Sequence, residues 1–259
     1  MASVRGWMSA AAVAAVTTVS MPSVAGTVSF TSAANTFDGQ LRHANAVFNH
    51  SGTSLKVTLS NIGGDVTKPV GILTALFFDY TGPGSITKVT NGATVAPGSS
   101  VVHFTSNPSN VSGEWAFRSD LAPSTDRPQF GISSAGFGLF GPGDRFGTTN
   151  LQGPASPNGL QFGITSINDN INTGNTPVTG ANALIKHAVV FEFTVSTLFD
   201  LTKILNVGFQ YGTALNEGYN PGEPDNPPPP PVVPVPPAFG LGVLGLLGVG
   251  LARRRLSKR

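Results

Sequence analysis

Apolar and polar residues alternate with period two along several stretches of this chain, the pattern of a β-strand with one buried face. In residues 54–60, Leu55, Val57 and Leu59 point one way while Lys56 and Thr58 point the other. In residues 189–195 the inward set is Val189, Phe191, Phe193 and Val195; Trp115 with Phe117, and Val207, Phe209 and Tyr211, repeat the pattern. Residues 73–78 are apolar on both faces, which predicts a central strand covered on two sides. Further strands are expected at 27–32, 41–48, 99–105, 129–133 and 160–164, and a helical turn near 198–203. Gly82-Pro83-Gly84, Asn91-Gly92 and Ala96-Pro97-Gly98 punctuate them as turns. About ten short strands so spaced predict an all-β fold, an antiparallel β-sandwich or jelly roll.

Between Asp120 and Gly180 the periodicity fades, because Gly, Pro and Asn interrupt every run. This region reads as long ordered loops across one end of the domain. It also argues against an outer-membrane barrel, which needs lipid-facing strands of about ten residues along the whole chain.

The ends follow different rules. Residues 1–25 hold one early cation, Arg5, an apolar stretch from Trp7 through Val19, and then Pro22-Ser23-Val24-Ala25. Small residues at Ser23 and Ala25 suit signal peptidase, with cleavage between Ala25 and Gly26. No arginine pair precedes the apolar stretch, so export as an unfolded chain by the general secretory route is expected.

A β domain over 26–219 is expected to give way to a proline-rich spacer at 220–237, which holds ten of the 21 prolines. Such a run settles into an extended polyproline II rod, about 55 Å long if stretched throughout. Residues 238–252 are uncharged, with five glycines among leucines, valines and alanines, and end at Arg253-Arg254-Arg255. A helix of this length spans about 22 Å, short of the roughly 30 Å hydrocarbon core, but Val232 to Pro237 lengthen the apolar run. The arginines and the remaining tail, 253–259, are expected on the cytoplasmic side, with the domain outside. Each glycine costs a helix about 1 kcal/mol, which suits a span that is to be cut as much as a lasting anchor.

This order of elements resembles the PEP-CTERM sorting signal of exported proteins in Gram-negative bacteria that make exopolysaccharide. In that family a Pro-Glu-Pro triplet precedes a Gly- and Leu-rich span and an Arg-rich end; here Pro234, Val235 and Pro236 occupy the triplet, with Val235 in the place of the Glu. The resemblance covers about the last 30 residues. It implies processing by a membrane enzyme, exosortase, and release from a membrane-tethered intermediate to the cell surface or extracellular matrix.

Composition narrows the chemistry. Leaving out Arg5 and the five cations of the tail, nine basic residues face thirteen acidic ones, a net charge of −4 for the exported part. The nine are scattered singly, so a nucleic-acid partner, which needs clustered cations, is disfavoured. Cysteine is absent, which removes disulfides, thiolate metal sites and a Cys nucleophile. His43, His50, His103 and His187 fall in no short metal-binding spacing. Ser133-Ser134 misses the Gly-x-Ser-x-Gly nucleophile elbow by one position.

The oxygen-rich stretch 168–175 carries Asp169 among asparagines but lacks the bidentate Glu of a calcium loop, so it reads as a turn. No metal, cofactor or catalytic residue is therefore assigned. The leading expectation is a non-enzymatic surface or matrix protein, structural or adhesive, associated with exopolysaccharide. A lectin-like module is the first alternative, although only one Trp lies outside the leader. The second is a secreted hydrolase using the loop carboxylates Asp120, Asp126, Asp144 and Asp169, since a glycosidase needs two carboxyls facing one cleft and the glutamates Glu114 and Glu192 fall in predicted strands.

Overall fold

In the computed structural model, residues 25–121, 128–137, 146, 150–153, 157, 159–180 and 182–225 are described. Their strands are β1 (Gly26–Ser32), β2 (Asn35–Phe37), β3 (Gln40–Arg42), β4 (Ala44–Ser51), β5 (Ser54–Asn61), β6 (Leu73–Tyr80), β7 (Ile86–Val95) and β8 (Ser100–Val102). They continue with β9 (Ala116–Arg118), β10 (Phe130–Ser133), β11 (Ile164–Thr165), β12 (Leu184–Lys186), β13 (Ala188–Val195), β14 (Ile204–Tyr211) and β15 (Tyr219–Pro224). The one α-helical segment is a single turn, α1 (Thr176–Thr179).

Thirteen strands make one sheet in the order β7-β13-β5-β4-β1-β15-β14-β6-β11-β12-β8, with β10 and β9 branching from β6. Every pair is antiparallel except β11 with β12. Near its two extremes the path is joined by continuous chain, because β12 passes directly into β13 at His187 and β7 leads into β8. His187 turns this corner with φ +91. The result is a large, antiparallel-rich, nearly closed sheet, as the all-β expectation requires.

Its interior collects the inward sets of the alternating strands. Leu55, Val57 and Leu59 of β5, Phe191 and Phe193 of β13, Ala46 and Phe48 of β4, and Phe209 and Tyr211 of β14 share one core. The Phe48 ring meets Phe30 and Phe78 edge to face at 5.9 and 5.3 Å, contacts worth about 0.5–1.5 kcal/mol each beyond their burial. β6 is covered on both faces: Leu76 and Phe78 enter the main core, while Ala75 and Phe77 join a second one with Phe137 and Phe146.

Several elements differ from expectation. The stretch 41–48 divides into β3 and β4, and its phase puts Gln40 and Arg42 inward and Leu41 outward. Asn91-Gly92 is not a hairpin turn but a bulge inside β7, where the register to β13 shifts between Phe191 and Phe193. Asn91 does take the left-handed φ (+60) that made it read as a turn. Only 100–102 of the run 99–105 is strand, and most of 160–164 is turn, leading into β11. The helical turn near 198–203 is a 3-10 turn at Leu201–Lys203.

The spacer boundary also moves. Residues 219–224 form β15, and the compact unit ends at Asp225, so the start expected at Asn220 is six residues too early. β15 tolerates its prolines because it changes partner midway. Tyr219 to Pro221 pair with β14, Gly222 to Pro224 pair with β1, and each proline ends one of these short ladders. The proline-rich remainder runs from Asn226 to Pro237. Residues 1–24 of the expected leader (1–25), this remainder, the 238–252 span and the 253–259 tail lie outside the described residues; among the described residues no helix is long and apolar enough to cross a membrane.

Register fixes where the chain enters and leaves. Phe30 lies opposite Pro224, and the Asp225 amide donates to the Ser29 carbonyl. Hence the start of β1 and the end of β15 emerge at the same end of the sheet, the entry pole. Asn61 opposite Ala44, Ser60 opposite Ala188 and Leu73 opposite Tyr211 mark the other end. There the β2-β3 hairpin gathers with the loops 62–72, 166–182 and 212–218; this is the far pole.

Candidate functional site

The far pole is where charged and polar side chains converge. The β2-β3 hairpin turns at Asp38-Gly39, both with positive φ (+47 and +77), the geometry that a two-residue Asp-Gly turn supplies. Gln40 reaches across to loop 62–72, donating to the Thr67 hydroxyl at 2.7 Å and accepting from the Thr67 amide at 2.8 Å. Lys68 and Asp38 form an exposed ion pair at 3.0 Å.

Beneath the hairpin lies Arg42, only 1% exposed. Its Nε donates to the Val70 carbonyl at 2.8 Å and its Nη2 to the Glu217 carbonyl. The Phe37 ring covers the guanidinium at 4.0 Å and Tyr211 lies on another side at 5.2 Å. Burial pulls the Arg42 pKa down, and Tyr211, Glu217 and Asp38 oppose that pull. Burial likewise raises the Tyr211 hydroxyl far above its ordinary value. Glu217 turns its carboxylate away, to cap the Thr213 and Ala214 amides. One guanidinium thus ties together the hairpin, loop 62–72 and loop 212–218.

A second junction joins loop 62–72 to loop 166–182. Asp169 Oδ1 accepts from the Val66 amide at 3.0 Å, and Asp65 Oδ1 accepts from the Asn170 amide at 2.8 Å. Each aspartate therefore binds the residue that follows the other, which draws the two carboxyl groups toward one another. The Thr173 hydroxyl lies on Asp65, and the Asn168 side chain donates to the Gly63 carbonyl. Burial first, and then Asp65, push the Asp169 carboxyl above the usual range. Desolvation would raise Asp65 too, but the hydrogen bonds from Thr173, Asn170, Asp169 and Val66 outweigh it and hold Asp65 below that range.

The other candidate residues are dispersed. Ala25 is exposed and Gly26 begins β1, opposite His50. The sorting residues Pro234, Val235, Pro236, Arg253, Arg254 and Arg255 lie outside the described residues, as do Asp126 and Asp144. His50 meets Phe199 edge to face at 5.0 Å near the entry pole, with Nε2 2.9 Å from the Gly52 carbonyl. Among the described residues no three potential metal ligands converge. Glu114 is partly buried, which raises its pKa, and Asp120 is paired with Arg118 at 2.6 Å, which lowers it. Ser133 ends β10, is buried, and donates its hydroxyl to the Ala135 carbonyl at 2.7 Å.

Of the expected carboxylates among the described residues, Asp169 alone is brought toward another, and its partner Asp65 escaped sequence reasoning. The only local signal for Asp65 is its place after Gly63-Gly64. A glycosidase holds its two carboxyls about 5 Å or more apart, with substrate between them. Here reciprocal hydrogen bonds to the neighbouring amides draw the two together, and Asp169 is 3% exposed. Among the described aromatics, Trp115 and Tyr211 are in the core, and Tyr80 is stacked on Phe199 at 4.7 Å.

What the far pole presents outward is a rim of Phe37, Leu41, Ile167 and Ile171, each at least 38% exposed. Compared with known protein families, characterised proteins and solved structures, the chain matches none.

Proposed function

We propose that this chain is an exported, non-enzymatic surface or extracellular-matrix protein. It is a β-sandwich module delivered by the general secretory route and sorted by a PEP-CTERM-like signal, with exopolysaccharide as the surrounding polymer. One observation carries the reading: among the described residues the first strand begins at Gly26, the first residue after the expected signal-peptidase site, and the last ends at Pro224, just ahead of the proline-rich sequence. A leader that is removed and a stalk that is not part of the fold would leave these two boundaries.

The mechanism is mechanical. The start of β1 and the end of β15 lie at the same end of the sheet, so a leader and a tether would both join the described domain at the entry pole. A tether pulling on β15 loads it along its length. The ladders to β1 and β14 then resist in shear and share the force, whereas peeling would break them one at a time. Asp65, Asp169, Arg42 and Gln40 brace loops at the pole that faces away, a use consistent with support more than catalysis.

Intact mass of the protein recovered from the host surface tests this. The expected species begins at Gly26 and ends near Pro234, and replacing Arg253, Arg254 and Arg255 by Ser should abolish that processing. A surface protein that keeps its full C-terminus, in the wild type or unchanged in the variant, overturns the assignment.

A further inference from the structure

We propose that Asp65 and Asp169 share one proton and form an acid-tightened clasp that fastens loop 62–72 to loop 166–182 at the far pole. The geometry is reciprocal, with each carboxyl gripping the amide that follows the other at 2.8–3.0 Å. Asp169 Oδ1 is taken up by Val66, whereas its Oδ2 is buried without a hydrogen-bond partner, and the Thr165 hydroxyl lies beside the same carboxyl. Two neighbouring carboxylates, one of them buried, repel unless a proton or a cation lies between them. A cation is poorly provided for. Asp65 Oδ1 and Oδ2 already accept from Asn170 and Thr173, and no third carboxylate or imidazole joins the pair among the described residues. One proton meets the need: Asp169, the buried partner, donates from Oδ2, and Asp65, the solvated one, accepts as carboxylate.

The surrounding charges fit this assignment. From β12, Lys186 places its ammonium on the Asp169 main-chain carbonyl at 2.6 Å, not on the carboxyl pair. Lys68, on the same loop as Asp65, is engaged by Asp38. The remaining neighbours of the pair are amides and hydroxyls: Val66, Asn170, Thr165 and Thr173.

The directions of the two shifts set the pH response. Asp169 is raised in the folded chain, so its contribution is complete in acid and is lost as pH climbs through its folded value. Asp65 is lowered, so its contribution holds above the ordinary carboxylate range and is lost as pH drops through its own folded value. The clasp is therefore tightest between those two values, in mildly acidic medium, and slackens toward neutrality as a second negative charge appears.

Hydrogen exchange of the full-length chain, read by mass spectrometry in peptides covering 62–72 and 166–175 and corrected for intrinsic rates, tests the device. Protection should fall by roughly tenfold for each pH unit between the folded and ordinary pKa of Asp169, with distant β5 and β13 peptides unchanged. Asp169→Asn keeps both hydrogen bonds without a titrating proton and should give a flat profile. Asp65→Asn removes the like charge and should move the wild-type midpoint to lower pH, a readout that stands even if Asp169→Asn folds poorly. A flat wild-type profile, or one that Asp65→Asn leaves in place, overturns the proposal. So does protection at neutral pH that calcium chloride restores, since a cation would then occupy the place of the proton.

Discussion

Replacing Arg42 by Met isolates what a buried guanidinium contributes to the far pole. Methionine keeps most of the stem's packing volume, so the loss is concentrated in the polar head. Two charge-assisted hydrogen bonds to the Val70 and Glu217 carbonyls disappear, each worth about 1.5 kcal/mol, and both carbonyls are left partly buried. The contact with Phe37, a ring 42% exposed, adds about 0.5–1 kcal/mol. Relief of the buried charge offsets part of this, which leaves a net loss of about 2–3 kcal/mol. With a denaturant slope of about 2 kcal/mol/M for a domain of this size, the urea midpoint should fall by about 1–1.5 M. Arg42→Lys should land between, because an ammonium cannot serve two carbonyls on separate loops with the geometry of the planar fork. A Met variant as stable as the parent, or more stable, would refute the reasoning. That is the behaviour of buried charges whose solvation cost exceeds what their partners return.

Three further outcomes are expected. Gly218→Ala, at φ +134 with its new methyl against the Arg42 guanidinium, should cost about 2–4 kcal/mol in urea unfolding. Combined with Arg42→Met it should cost clearly less than the two losses added, since the clash is then relieved. Phe48→Ala should lower thermal stability by roughly 3–5 kcal/mol, about 10 °C, because Phe48 is fully buried between Phe30 and Phe78. Ending the chain after Gly218 should abolish cooperative unfolding followed by circular dichroism, whereas ending it after Asp225 should preserve it.

Where one face of a strand is apolar, the sequence was easy to read. The inward sets of β5 and β13 stand where their alternation placed them, and the doubly apolar run at Leu73 to Phe78 is a strand covered on both faces. Reading failed where polar groups satisfy one another inside. Period two alone would have put Leu41 in the interior, but Leu41 is exposed and its neighbours Gln40 and Arg42 are buried, because Thr67, Val70 and Glu217 receive their hydrogen bonds. β15 was hidden by prolines that break a strand with one partner but not one that changes partner between them. Asp65 and Asp169 lie about a hundred residues apart, and no local spacing can announce a contact that only the fold creates.

The position of β15 bears on the order of events during export. It sits in the middle of the sheet path, between β1 and β14, so until residues 219–224 have arrived both of those strands present unpaired edges. β1 and β15 are the first and last strands among the described residues, which makes their pairing the longest-range closure there. A chain halted in the membrane directly after Pro224 would have to complete that closure against the bilayer. On the proposed export route, the twelve residues Asn226 to Pro237 would separate β15 from the apolar segment by about 37 Å if they ran as polyproline II. On that reading the spacer would serve folding first, by letting β15 dock between β1 and β14 before the chain is released.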